Sequence, residues 1–247
     1  SGLPKELQED IKRQLEGRGV VHSKSVYRKE MSDTFDKEHS LVRKDLRKEV
    51  LDNIESFTNI LKPLDKSKAE EQSKKPMFTK HLEILTTIED GGNSEDKTTF
   101  VYREGDPANV FTAMFGVTTT TANRVFKALK STTRFGKGDT ITKAQASVVV
   151  NHIRNEALAD IEKTLKDSTL TLSKEQKEVL VLLAHNVGKL SVKTPSAMKA
   201  LKRGDLQAAK IEFFSRAKGP NNSNGEFVPG LFKKNNTLLG LFERFGK

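Results

Sequence analysis

The sequence has no cysteine and no tryptophan, and only two of its 247 residues are tyrosine. Without cysteine the chain cannot form a disulfide framework, a thiolate nucleophile, or a cysteine-ligated zinc or iron–sulfur site. Its five histidines are scattered and include no His-x3-His pair, which leaves little from which another metal site could be built. We therefore expect a protein that uses no metal and no cofactor.

Long apolar runs are also missing. No stretch approaches the ~18–20 apolar residues that a membrane-spanning helix needs, and the opening residues, Ser-Gly-Leu-Pro-Lys-Glu-Leu, lack the apolar core of a signal peptide. The sequence does not begin with methionine, which indicates a processed product or a piece of a longer chain. We predict that the chain has no membrane span.

Positive charge, by contrast, is in excess. The chain carries 43 Lys+Arg and 33 Asp+Glu, a net charge of +10 at pH 7, which predicts a polyanionic partner such as nucleic acid, a membrane surface or a cell-wall polymer. Residues 1–76 hold 17 basic and 15 acidic residues, so +8 of the charge falls on the rest. The absence of long Lys/Arg blocks and of aromatic residues suited to base stacking argues against nucleic acid.

The composition changes near Pro76. Residues 1–76 are dense in charges of both signs and end in a linker-like stretch that is poor in apolar residues. Within them, apolar residues at positions 42, 46, 50, 54 and 57 form a narrow stripe at helical spacing. Such a helix either packs on the main domain or forms an arm that docks on a partner protein. We expect a charged helical arm and linker over 1–76 and a second domain over 77–247.

The start of the second domain predicts a helix followed by a small β element. Leu82, Leu85 and Ile88 share one helical face, and Gly91-Gly92 ends that helix. Residues 98–118 are rich in β-branched and aromatic residues and are broken by Gly-Asp-Pro, as expected for a hairpin.

The remainder predicts helices. Thr142-Lys-Ala-Gln and Ser173-Lys-Glu-Gln fit capping boxes, in which the hydroxyl accepts from the third helical amide and Gln reaches back. Further helices are expected from Pro195, Leu206 and Pro229. The predicted fold class is α+β and mostly helical, with one small hairpin among many helices.

Three stretches in the C-terminal half carry a resemblance to a known family. Leu183-Ala-His-Asn-Val-Gly resembles a helix that ends in Phe-Asn-Val-Gly, and Met198-Lys-Ala-Leu-Lys-Arg-Gly-Asp-Leu follows it as expected. Pro229-Gly-Leu-Phe-Lys-Lys resembles the Gly-Leu-Val-Arg-Arg entry to the last helix. In this order and spacing, residues from about 78 to 245 resemble the phage-type lysozymes of glycoside hydrolase family 24. The resemblance implies a lysozyme-like domain whose substrate is peptidoglycan and which needs no cofactor.

The catalytic region resembles this family less closely. The family pattern is a Glu at the end of the first helix, then Tyr-x-Asp, then a Thr in the hairpin. Here the resemblance implies Glu89 as the catalytic acid, Glu104 as the second carboxylate, and Thr112 as the residue that orients the attacking water. The gap from Glu89 to Tyr102 is longer than in the family, and Thr118 stands where the family has a His.

Glycoside hydrolysis needs one carboxyl group that donates a proton and one that stays ionised. Glu89 suits the donor because an apolar helix face and a helix C-terminus both favour a neutral carboxyl and raise its pKa. Glu95 is the alternative donor, since its distance to Glu104 fits the family spacing without an insertion, but no apolar helix precedes it. Asp106 is the alternative to Glu104 because it lies six residues before Thr112.

The predicted function is therefore that of a bacteriophage muramidase that hydrolyses the linkage between N-acetylmuramic acid and N-acetylglucosamine. The charged arm favours an enzyme of the phage particle or tail, held there by other phage proteins and acting on the host cell wall during entry, over a free endolysin of the host cytoplasm. Two alternatives stay open: a catalytically inactive lysozyme-like structural protein of the particle, and a basic nucleic-acid-binding phage protein. His185, which replaces a family Phe, is predicted to be a partly buried neutral residue and not a base.

Overall fold

The computed structural model describes residues 46–62, 75–90, 96–102, 111–216 and 229–246. It has short strands among many helices, so the predicted α+β, mostly helical class is confirmed. The helices are α1 over 46–61, α2 Met77–Asp90, α3 Thr119–Ala128, α4 Lys143–Leu165, α5 Lys174–Val187, α6 Leu190–Lys193, α7 Pro195–Lys202, α8 Leu206–Lys210 and α9 Pro229–Arg244. The strands are β1 Lys97–Thr99, β2 Val101–Tyr102, β3 Phe111–Thr112 and β4 Thr140–Thr142. A 3₁₀ turn spans Met114–Gly116, and a π-helical segment spans Ile211–Arg216.

Helix α1 packs into the same hydrophobic core as the rest of the described chain. Ile54 and Phe57 are fully buried and Leu61 almost so, and all three belong to that core. Full burial of a side chain of this size stabilises the folded state by ~1.5–3 kcal/mol. The Lys80 ammonium donates a 3.1 Å hydrogen bond to the carbonyl of Leu61 at the end of the helix. Of the predicted stripe, positions 46, 50, 54 and 57 are therefore buried, and position 42 lies outside the described residues.

Residues 1–45 and 63–74 lie outside the described residues. The division of the chain into an arm over 1–76 and a domain over 77–247 therefore stays a prediction. Within the described ranges, no helix is both long and apolar enough to cross a membrane.

The four strands form two antiparallel pairs. β2 pairs with β3, with Val101 opposite Thr112, and this is the hairpin that the sequence predicted. β1 pairs with β4, with Thr98 opposite the fully buried Ile141. The second pair was not predicted, because its strands are three residues long and lie about forty residues apart in sequence.

Both predicted capping boxes are present. Thr142 and Gln145 cap the start of α4, and Ser173 and Gln176 cap the start of α5. Helix α5 packs against α4 on one side and α9 on another, and α2 packs against both α5 and the 3₁₀ turn. The last turn of α2 lies beside the 3₁₀ turn and α9.

Candidate active site

Glu89 occupies the last turn of α2. The inner face of this helix anchors it to the core: Leu85 is buried, and Leu82 and Ile88 are half-buried against the same cluster. The Glu89 side chain keeps only 12% of its surface exposed, so it is largely withdrawn from water. The helix that the sequence predicted therefore delivers a shielded carboxyl group at its C-terminal end.

The 3₁₀ turn after β3 lies directly against this carboxyl group. A Cβ atom added at Gly116 would stand 2.9 Å from both Cδ and Oε2 of Glu89, a distance that real Cβ contacts do not reach. Phe115 and Gly116 have φ values of 58° and 68°, both in the left-handed region. For Phe115 this conformation costs roughly 1–2 kcal/mol. Only a glycine allows the turn to approach Glu89 this closely.

Lys234 reaches the same carboxyl group from α9. Its ammonium contacts Oε1 of Glu89, and its own side chain is 15% exposed, so the ion pair is mostly shielded from solvent. The charge attraction in such a pair is larger than between exposed groups. The Lys-Lys pair of the last helix is visible in the sequence, but its pattern alone assigns no role to Lys234. The available signal was its match to the Arg-Arg pair that opens the family's last helix.

His185 lies in the last turn of α5 and contacts the 3₁₀ turn. Its Nε2 is 2.5 Å from the carbonyl oxygen of Phe115. Burial lowers the pKa of His185 to about 4; His81 and Lys234 add to that effect, and Glu89 and the hydrogen bond with the Phe115 carbonyl oppose it. The prediction of a neutral, partly buried histidine is confirmed.

Thr112, the predicted water-orienting residue, is a buried residue of β3. It pairs with Val101 across the hairpin and forms a bridge with Thr118, which closes the chain around the 3₁₀ turn. Thr112 therefore belongs to the segment that carries Gly116 to Glu89. The other predicted candidates, Glu95, Glu104 and Asp106, lie outside the described residues.

A second shielded carboxyl group lies deeper, where α2, α4 and α5 meet. Arg154 donates from Nε and Nη2 to the two oxygens of Glu178, at 3.0 and 2.8 Å, and Nδ1 of His81 is 2.6 Å from Oε1. Burial by itself would raise the pKa of Glu178, but the close contacts with His81 and Arg154 outweigh it and hold the pKa below its usual range. This carboxyl group is fully engaged in holding three helices together.

The chemistry available at Glu89 is that of proton transfer. A shielded carboxyl group can donate a proton, and the neighbouring ammonium can stabilise the carboxylate left behind. Among the described residues, no group of three His, Asp or Glu side chains could hold a metal ion.

Comparison with known proteins agrees with the resemblance read from the sequence. The model of the phage lysozyme family matches residues 98–237, more than half of the chain. A protein named "Endolysin", from Acyrthosiphon pisum secondary endosymbiont phage 1, is 28% identical over 106 residues, which are 43% of this chain and 70% of the relative. Thr112, His185 and Lys234 lie inside the matched region, and Glu89 lies nine residues before it.

Proposed function

Because the chain belongs to the phage lysozyme family and is a glycoside hydrolase that degrades peptidoglycan, we propose that Glu89 is the general acid of its reaction. The observation that carries this proposal is the position of the Glu89 carboxyl group: it is shielded at a helix end, touches the Gly116 turn and pairs with Lys234. In this role Glu89 gives its proton to the glycosidic oxygen as the bond to the sugar breaks.

Two competing influences set the protonation of Glu89. The helix C-terminus and the loss of hydration favour the neutral carboxyl group, which is the form that can donate. The Lys234 ammonium favours the carboxylate, which is the form that remains once the proton has left. The pair therefore lowers the energy of the charge that develops in the transition state, where stabilisation accelerates the reaction.

The second carboxylate in this proposal is Glu104, with Asp106 as its alternative. Its task is to stabilise the positive charge on the sugar or to activate the attacking water, and Thr112 orients that water. The supporting observation is that β3 carries Thr112 into the turn that touches Glu89. The bond cleaved is the linkage between N-acetylmuramic acid and N-acetylglucosamine.

A pair of variants on one helix tests the acid. Glu89→Gln removes the proton donor at nearly constant shape, and Glu83→Gln makes the same change two turns earlier, at a carboxylate paired with Lys75 at 2.8 Å. We expect Glu89→Gln to release reducing ends from purified peptidoglycan about 10²–10⁴ times more slowly than wild type. Glu83→Gln should match wild type. Equal activity in both variants would remove Glu89 from the mechanism.

The site of action is a separate proposal. We propose that the enzyme is carried by the phage particle or tail and acts on the host wall during entry. The charged composition of residues 1–45, ahead of the region that matches the family, supports an attachment segment of this kind. Peptide mass spectrometry of purified particles should detect the chain with the tail proteins. Its presence only in the soluble lysate would favour the alternative, a free endolysin, which is also what the relative's name describes.

A further inference from the structure

The 3₁₀ turn that touches Glu89 is held from α5 as well as from its own strands. Within the turn, the amide of Ala113 donates to the carbonyl of Val117, and the amide of Val117 donates to the carbonyl of Met114. The carbonyl of Phe115 points instead to Nε2 of His185, 2.5 Å away on another helix. This contact joins residues seventy positions apart in sequence.

The chemistry of the contact defines the tautomer of His185. A carbonyl oxygen only accepts hydrogen bonds, so Nε2 must carry the proton and donate it. Nδ1 is then unprotonated and carries a lone pair. It is buried and has no hydrogen-bond partner among the residues that the structure describes. Protonation of Nδ1 would leave a buried N–H without an acceptor, which is costly, so the neutral form with hydrogen on Nε2 is the one this site accommodates.

The Phe115 carbonyl is part of the peptide plane that leads into Gly116, so a hydrogen bond to its oxygen fixes the orientation of that plane. Both residues have left-handed φ values, and such a conformation persists in a non-glycine residue only where its surroundings hold it. Because Gly116 lies against Cδ and Oε2 of Glu89, a rotation of this peptide plane would move the wall of the carboxyl group's site.

We propose that His185 is a positioning residue, which donates from Nε2 to the Phe115 carbonyl and thereby holds the Phe115–Gly116 turn against the Glu89 carboxyl group. The inference rests on the proposed role of Glu89 as the general acid. His185 does not touch the reacting atoms in this account. It acts through the turn, and its own proton stays in place during the reaction.

Two substitutions at one position separate the hydrogen bond from the volume of the ring. His185→Leu keeps an apolar side chain of similar size without a donor, and His185→Gln keeps an N–H donor that can reach the same carbonyl. His152→Leu removes a histidine from the half-exposed side of α4, where it contacts Glu156, and serves as the control. Each variant is assayed on purified peptidoglycan for kcat, KM and the pH profile of kcat, and its fold is checked by circular dichroism.

We expect His185→Leu to lower kcat by about 10- to 100-fold, the size of effect that a misplaced catalytic group produces. Its KM should stay within about threefold of wild type, and the limb of the pH profile that reports the acid should move. His185→Gln should recover most of kcat, and His152→Leu should match wild type. A merely structural role would lower the amount of folded enzyme without moving the pH profile.

Wild-type kcat and pH profile in His185→Leu would overturn the inference, as would a His185→Gln variant no better than His185→Leu. If Glu89→Gln is inactive while His185→Leu is normal, this inference fails alone. If Glu89→Gln is fully active, the premise fails and the inference falls with it. Nitrogen-15 NMR of wild type provides a test that requires no variant to fold: hydrogen on Nε2 from pH 5 to 8 supports the inference, and hydrogen on Nδ1 contradicts it.

Discussion

The ion cluster of Glu178, Arg154 and His81 allows a stability prediction whose size follows from its burial. The Glu178 side chain is only 2% exposed, and Arg154 binds both of its oxygens. Arg154→Met would leave the carboxylate buried with His81 as its remaining partner. Removing one member of a buried ion pair costs roughly 3–5 kcal/mol, because the carboxylate then stays out of water without the cation that bound both of its oxygens. For a chain of this size, that loss lowers the melting temperature by about 10 °C.

An exposed pair provides the matched control. Arg124 and Glu156 form an Arg–Glu ion pair between α3 and α4, with side chains that are 50% and 47% exposed. Arg124→Met should cost under ~1 kcal/mol, since water already solvates both charges. Urea unfolding at pH 7, followed by circular dichroism, measures both variants. Equal losses in the two would refute the reasoning, because burial would then have no effect on the cost of the broken pair.

The stability that the buried Glu178–Arg154 pair contributes depends on pH. The pKa of Glu178 in the folded protein is below its ordinary value of 4.5, so the unfolded chain takes up the proton first as the pH falls. The stability contributed by the ionised pair is therefore complete above pH 4.5 and is lost below it. We expect the difference between wild type and Arg154→Met to narrow below pH 4.5.

Two further predictions concern the candidate site. Gly116→Ala and Gly138→Ala both add a Cβ atom at a left-handed φ value, 68° and 82°. The Cβ atom at position 116 would collide with the Glu89 side chain, whereas nothing lies within 4 Å of the one at position 138. Both should lose stability by about 1–2 kcal/mol, and only Gly116→Ala should lose kcat on peptidoglycan, by about tenfold or more. Lys234→Met removes the cation from Glu89, so the alkaline limb of the kcat profile should move to higher pH while the maximal kcat falls. An unchanged profile would show that the pair does not act on the acid.

The features predicted from the sequence are those encoded locally. The capping boxes at Thr142 and Ser173 each lie within four residues, and the helix that carries Glu89 is defined by its own apolar spacing and the glycines after it. These signals depend on backbone geometry that neighbouring residues determine. The hairpin of β2 and β3 was predictable for the same reason, because its partners are close in sequence.

The features that sequence reasoning missed join distant parts of the chain. Lys234 meets Glu89 across 145 positions, and His185 meets the Phe115 carbonyl across 70. Glu178 lies in a helix whose spacing predicts apolar burial, and its contacts with Arg154 and His81, 24 and 97 positions away, explain a charge there. Periodicity shows which face of a helix is buried but not which residue lies opposite it.

The central claim, that Glu89 donates the proton, is tested most directly by changing the leaving group. A glycan substrate with a nitrophenyl leaving group needs little proton donation, whereas the natural linkage needs it fully. We predict that Glu89→Gln loses about 10²–10⁴-fold in kcat/KM on the natural linkage and under about tenfold on the nitrophenyl substrate. An equal loss on both substrates would contradict the claim, because Glu89 would then serve binding or folding and not proton transfer.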